Sequence, residues 1–195
     1  MNLPDEDLCR ELMSRYAMLP HIVEHSYRVC QLAVFLTRVL NRNGSRLDPD
    51  LILAGSLLHD ITKTRSIETK ERHAETGKQL LLELGYPEVA EVVGAHVTFE
   101  TGDPAQPVNE TDVVNYADKR VMHVRVVSLE DRFEDLVARY GRTPEARRRL
   151  EMLRESVLEL ERKVFAAGLG FAPERLQAFN RLSPYDLSAL PPDFP

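Results

Sequence analysis

The sequence predicts an all-α protein, a helical bundle followed by a C-terminal helical hairpin and a Pro-rich tail. Three observations predict this class. Apolar residues recur at helical spacing along most of the chain. No stretch alternates polar and apolar residues for more than a few positions. Helix start and stop residues (Asp48-Pro49, Gly85, Pro87, Tyr140-Gly141) punctuate the periodic segments.

At 195 residues the chain is long enough for one domain with a sizeable core plus an appendage. A first short helix is expected over residues 5–17, ending before Pro20. The next spans about residues 21–43, where Val29, Leu32, Ala33, Leu36, Val39 and Leu40 mark the buried face and Asn43-Gly44 ends it. Asp48 caps a third helix with Pro49 at its first position. Its body, residues 51–58, is almost wholly apolar and so buried on most sides.

Residues 61–71 read as a charged, Thr-rich loop, followed by a helix over 72–84 that stops at Gly85. Pro87 opens the helix carrying Val89, Val92, Val93 and His96, and residues 99–109 are a loop by composition. Asn109 or Thr111 caps a helix bearing Val113, Val114, Ala117 and Val121. From Ser128 a helical hairpin is expected, broken at Tyr140-Gly141, with Leu150, Leu153, Val157, Leu160 and Val164 spaced alternately by three and four. That stripe packs on the chain's own core or forms a homodimer seam. Residues 168–195 hold five of the twelve prolines and one short helix, at 173–182, in a tail expected to be draped over the body or partly mobile.

A net charge of -6 argues against a polynucleotide partner and leaves small phosphorylated ligands open. No apolar run approaches the ~20 residues of a membrane helix. The start MNLPDEDL is acidic where a secretory leader would be basic, so a cytoplasmic protein is expected. Cys9 and Cys30 lack metal-ligand spacing and read as reduced.

The chemistry lies in His59-Asp60. The run LILAGSLLHD leads from buried helix directly into an imidazole and a carboxylate. Burying that carboxylate costs several kcal/mol unless a cation or strong donors meet it. An isolated His-Asp pair would more often be an exposed helix end, but His25 shares the inward face of Val29. His96 follows the apolar face of EVVGAHV, and Asp118 sits between core positions in VVNYADKRV. Inward imidazoles and carboxylates on separate helices are the natural lining of a metal-binding bundle.

The ordered set resembles the HD superfamily of metal-dependent phosphohydrolases, in the HDIG-like subset with two further histidines. It runs through His25 in VEHSYRV, His59-Asp60 in LLHDITK, His73 in RHAETG, His96 in VGAHVTF and Asp118 in YADKRV. It covers about residues 20–125 and is similar to the symmetrical diadenosine tetraphosphatases, which combine the same ligands with an HDxxK lysine. The resemblance implies an HD domain over 1–125, extended by a hairpin at 126–167 and the tail at 168–195. It implies that His25, His59, Asp60 and Asp118 hold one metal, and that His73 and His96 hold a second bridged by Asp60. One or two divalent transition-metal ions are expected, iron or manganese favoured, with zinc, cobalt or nickel compatible with the ligand types.

The implied reaction is hydrolysis of a phosphate ester or phosphoanhydride in a nucleotide-like small molecule by a metal-activated water. Asp60 and Lys63 are the candidate catalytic residues. Lys63, Arg65 and Lys119 are candidate substrate-binding cations, with Arg72 a weaker one. His21, one turn before His25, lines the pocket or is exposed, while His123 reads as structural or superficial. Gly85-Tyr86-Pro87 spells the tripeptide of the HD-GYP phosphodiesterases, where it follows a paired His-His-Glu. Here it precedes a single His96 and separates two helices, a departure from cyclic di-GMP cleavage. Arg147-Arg148-Arg149, bracketed by Glu145 and Glu151, reads as a solvated face. The alternatives are a non-catalytic nucleotide- or metal-binding regulator on the same bundle, and a helical interaction protein whose histidines fill its core.

Overall fold

The computed structural model describes residues 3–97, 106–191 and 194. Most of the loop expected over 99–109, and Pro192, Asp193 and Pro195 of the tail, lie outside the described residues. Among the described residues the protein is all-α apart from one two-stranded hairpin: α1 (Glu6–Arg15), α2 (Pro20–Arg42), α3 (Pro49–Leu58), α4 (Lys63–Thr69), α5 (His73–Glu83), α6 (Pro87–Ala95), α7 (Glu110–Arg120), β1 (Val121–Met122), β2 (Arg125–Val126), α8 (Leu129–Tyr140) and α9 (Pro144–Ala166). A 3-10 helix, Pro173–Arg181, stands where the short tail helix was expected. No described helix is long and apolar enough to cross a membrane.

α2 is the axis of the fold. One side packs Val29, Leu32, Leu36 and Leu40 into a cluster with α7, α9 and the 3-10 segment. The other packs Ile22, Tyr27, Cys30 and Val34 against α1, α3, α5 and α6. Each fully buried leucine on this axis contributes about 2 kcal/mol of apolar transfer. α3 is apolar all round because Ile52 faces the first cluster while Ala54, Leu57 and Leu58 face the second. Asp48 caps α3 through its side chain, and Asn109 caps α7 in a reciprocal capping box with Asp112.

Two expectations are corrected. The loop expected at 61–71 contains α4, which buries none of its residues and therefore carries no apolar stripe to read. Val121 was expected on α7, but that helix ends at Arg120. Val121 is extended and pairs with Val126 across a turn that places His123 in the left-handed region, φ 56°.

The C-terminal half is tied to this body by polar bonds as well as packing. Arg120 and Tyr116 on α7 both donate to Glu161 of α9, at 2.9 and 2.6 Å, and Lys163 meets Asp112 at 2.7 Å. The α9 stripe divides. Leu160 and Val164 are buried against the body and Val157 against Leu129 and Phe133 of α8, whereas Leu150 and Leu153 face a cavity. The tail docks on α2, where the Arg28 guanidinium donates to Phe179 and Leu182 carbonyls and Gln31 donates to those of Ser183 and Asp186.

Candidate metal centre

Separate elements bring the sequence-predicted residues to one place. His25 comes from the second turn of α2, and His59 is the residue that ends α3, with Asp60 next. His73 opens α5, His96 ends α6, and Asp118 lies in the last turn of α7. Gly55 makes the approach possible: a Cβ there would meet Val92 Cγ1 at 2.7 Å, so α3 and α6 touch closely one turn before their histidines. His25, His59, Asp60, His96 and Asp118 are buried, and His73 is half-buried.

Two sets of donor atoms result, each with all its atoms within 4.8 Å of one another: His25, His59 and Asp118, and Asp60, His73 and His96. Asp118 Oδ1 lies 3.1 Å from His25 Nε2 and 3.7 Å from His59 Nε2. Asp60 turns its two oxygens to different neighbours. Oδ1 stands 3.3 Å from His73 Nε2 and 3.6 Å from His96 Nε2, while Oδ2 stands 3.4 Å from His59 Nε2. His73 Nε2 and His96 Nε2 are themselves 3.1 Å apart.

Backbone carbonyls aim the rings. His25 Nδ1 donates to His123 O at 2.7 Å, His59 Nδ1 to Ser56 O at 2.8 Å, and His96 Nδ1 to Val93 O at 2.5 Å. A carbonyl only accepts, so each Nδ1 carries a hydrogen and each Nε2 points inward as the available ligand atom. The fit to a cation shows in what is left over. His59 Nε2 and Asp60 Oδ1 are buried with no hydrogen-bond partner among the described residues, an arrangement that costs about 1–3 kcal/mol per group unless something meets them. Four imidazoles and two carboxylates, with no thiolate, suit a divalent transition metal better than Ca or Mg.

Electrostatics prepare the same donors. Burial opposes ionisation of Asp60, but the His59 ring and the Lys63 ammonium outweigh it and hold the carboxyl well below the usual range. Burial likewise opposes Asp118, and Lys119 with His25 and His59 brings it well below that range. Burial pushes His73 down to about 4 and lowers His96, so both rings stay neutral near pH 7. For His59, burial is outweighed by the Asp60 and Asp118 carboxylates, which raise its pKa; a cation must displace that proton to bind.

A cavity of about 520 Å³ opens onto these donors. Lys63 lines it with Nζ 2.8 Å from Asp60 Oδ2. Burial works against its charge, Asp60 and Asp118 raise its pKa, and Arg132 is close enough to push back. Lys119 is buried, donating to Asp118 and to His96 O. Arg65 is exposed, ion-paired to Glu71 at 2.9 Å, and is not among the described lining residues; Arg72 pairs with Glu75 in the same way. His21 and His123 both line the cavity, so all six histidines of the chain gather here. Sequence reasoning missed Arg132, Leu136, Arg139, Tyr140, Leu150 and Leu153, which the α8–α9 hairpin adds to the lining. The left-handed residue at His123 was equally silent.

A family model of the HD domain matches residues 22–135, more than half of the chain. The chain belongs to the HD domain family. This HD domain's matched span contains all six predicted ligands and ends midway along α8, before Leu136. An uncharacterized protein of Methanocaldococcus jannaschii is 28% identical over 153 residues, which cover 72% of this chain and 89% of that protein. A tRNA (cytidine(56)-2'-O)-methyltransferase of Thermoplasma volcanium is 31% identical over 96 residues, 49% of this chain and 26% of that enzyme. No solved structure matches the chain. Family membership agrees with the metal-dependent phosphohydrolase class implied by the ordered motif.

Proposed function

We propose that this HD domain is a metal-dependent phosphohydrolase acting on a small phosphorylated, nucleotide-like substrate. The observation carrying the reading is the convergence of two donor sets, through the two oxygens of Asp60, beside a cavity of about 520 Å³. His25, His59 and Asp118 would hold one divalent cation and His73 with His96 a second, Asp60 bridging. Such cations supply Lewis-acid polarisation of a phosphoryl oxygen and make a bound water more acidic.

The chain's own residues do the rest. The Nδ1–carbonyl bonds fix the rings of His25, His59 and His96, so little reorganisation is needed there when charge develops. Lys119 holds the Asp118 carboxylate in place from within the core. Lys63 presents an ammonium beside Asp60 at the cavity surface, placed to neutralise a phosphoryl oxygen. Buried free thiols at Cys9 and Cys30 fit a cytoplasmic setting.

The test is a phosphate-release screen of Mn- or Fe-loaded protein over nucleotides and sugar phosphates, beginning with diadenosine tetraphosphate, with Asp60→Asn as control. Release that depends on the metal and on Asp60 is expected. Silence on diadenosine tetraphosphate alone removes only that substrate, while silence across the screen contradicts the hydrolase reading and favours a binding regulator.

A further inference from the structure

The hairpin α8–α9 gives the cavity a wall of its own. Leu136, Leu150 and Leu153 are half-buried on it, and Tyr140 is 59% exposed at its open side. Apart from Arg132 these residues lie beyond the span matched by the family model, so the wall is an addition to the matched core. An apolar surface next to a strongly polar centre is what a ligand with a charged end and a flat, weakly polar end requires.

Arg132 stands between the two. Its side chain is 12% exposed, and among the described residues its ion pair is to Asp135, long at 3.5 Å. Asp135 is also held more closely by Arg139. The Nε of Arg132 is buried without a hydrogen-bond partner among the described residues. It lines the same cavity as Lys63, close enough for the two like charges to repel. Two like charges facing one space, one with an unmet N–H, are relieved by an anion with several acceptor oxygens. A guanidinium matches phosphate in that role by offering two parallel donors.

We propose that Arg132 grips a second, non-scissile phosphate of a nucleoside di- or polyphosphate whose base lies on the wall formed by Leu136, Tyr140, Leu150 and Leu153. The assignment rests on the hydrolase reading only in placing the scissile phosphate at the cation centre beside Lys63. It makes the hairpin, rather than the six-ligand core, the part that selects substrate.

Binding rather than turnover tests it. Titration calorimetry of the Mn-loaded protein with α,β-methylene-ADP and with AMP should show the diphosphate binding at least about tenfold more tightly. Arg132→Ala should abolish that difference and leave AMP within about twofold, while Arg132→Lys keeps part of it. Metal content and melting temperature, measured on each variant, should stay at wild-type values. The proposal is overturned if Arg132→Ala binds both ligands as wild type does, if it loses both equally, or if wild type binds neither. Should Arg132→Ala fail to fold, full wild-type preference in Arg132→Lys would also overturn it. Absence of any hydrolysis would sink the hydrolase reading while leaving a binding preference for the diphosphate standing.

Discussion

Lys63 Nζ lies 2.8 Å from Asp60 Oδ2, on the side of the carboxylate turned toward His59. One ion pair therefore joins the residue proposed to bridge two cations to the residue proposed to face the phosphoryl group. The two roles separate by mutation. Lys63→Met should keep the bound metal and lower kcat/KM by about 10². Steady-state kinetics beside metal analysis checks this, and loss of metal in that variant would show Lys63 to be structural instead.

Gly55 is the second lever. Its Cβ would overlap Val92, so Gly55→Ala should force α3 and α6 apart at a cost of about 1–3 kcal/mol. For a chain of this size that is a drop of about 2–10 °C in melting temperature, read by circular dichroism. An unchanged melting point would mean that the helices are not held in this contact.

Arg28 links the tail to the metal centre. Its Nε donates to Val124 O at 2.9 Å, beside the His123 carbonyl that fixes His25, and its other nitrogens hold Phe179 and Leu182. Arg28→Ala should destabilise the fold by about 3 kcal/mol, because several buried carbonyls lose a charged donor. It should also expose the segment around residues 173–190 to limited proteolysis. A tail as resistant as in wild type would contradict this coupling.

The cysteines give a pH prediction. Burial, aided by Asp5 and Glu6, pushes the Cys9 thiol up to about 12, and burial raises Cys30 as well. A raised thiol pKa keeps the unreactive neutral form through the mildly alkaline range and yields thiolate only as pH nears that value. Native protein at pH 8 should therefore react with Ellman's reagent at neither cysteine until denaturant is added. Rapid native labelling would show these thiols to be accessible.

Much of this was legible in the sequence, for a physical reason. His25, His96 and Asp118 stand at inward positions of strong helical periodicity, where an ionisable group is conspicuous because burial penalises it. α4 was not legible, since a helix that buries nothing leaves no pattern. The β1–β2 turn and the bonds that fasten the tail to Arg28 were hidden because His123, Val124, Phe179 and Leu182 contribute backbone carbonyls, which every residue type carries. Arg132 reads in sequence as one more basic residue on the amphipathic helix α8. Its place in the cavity lining beside Lys63 and its unmet Nε distinguish it.

On the proposed function, the imidazoles and carboxylates around Asp60 form a cation centre of two sets. Metal analysis after reconstitution with Mn²⁺ and dialysis tests it most directly. About two ions per chain are expected in wild type, one for each donor set, about one in His96→Ala, and none retained in Asp60→Ala. A wild-type protein that retains no transition metal under any loading condition would contradict it.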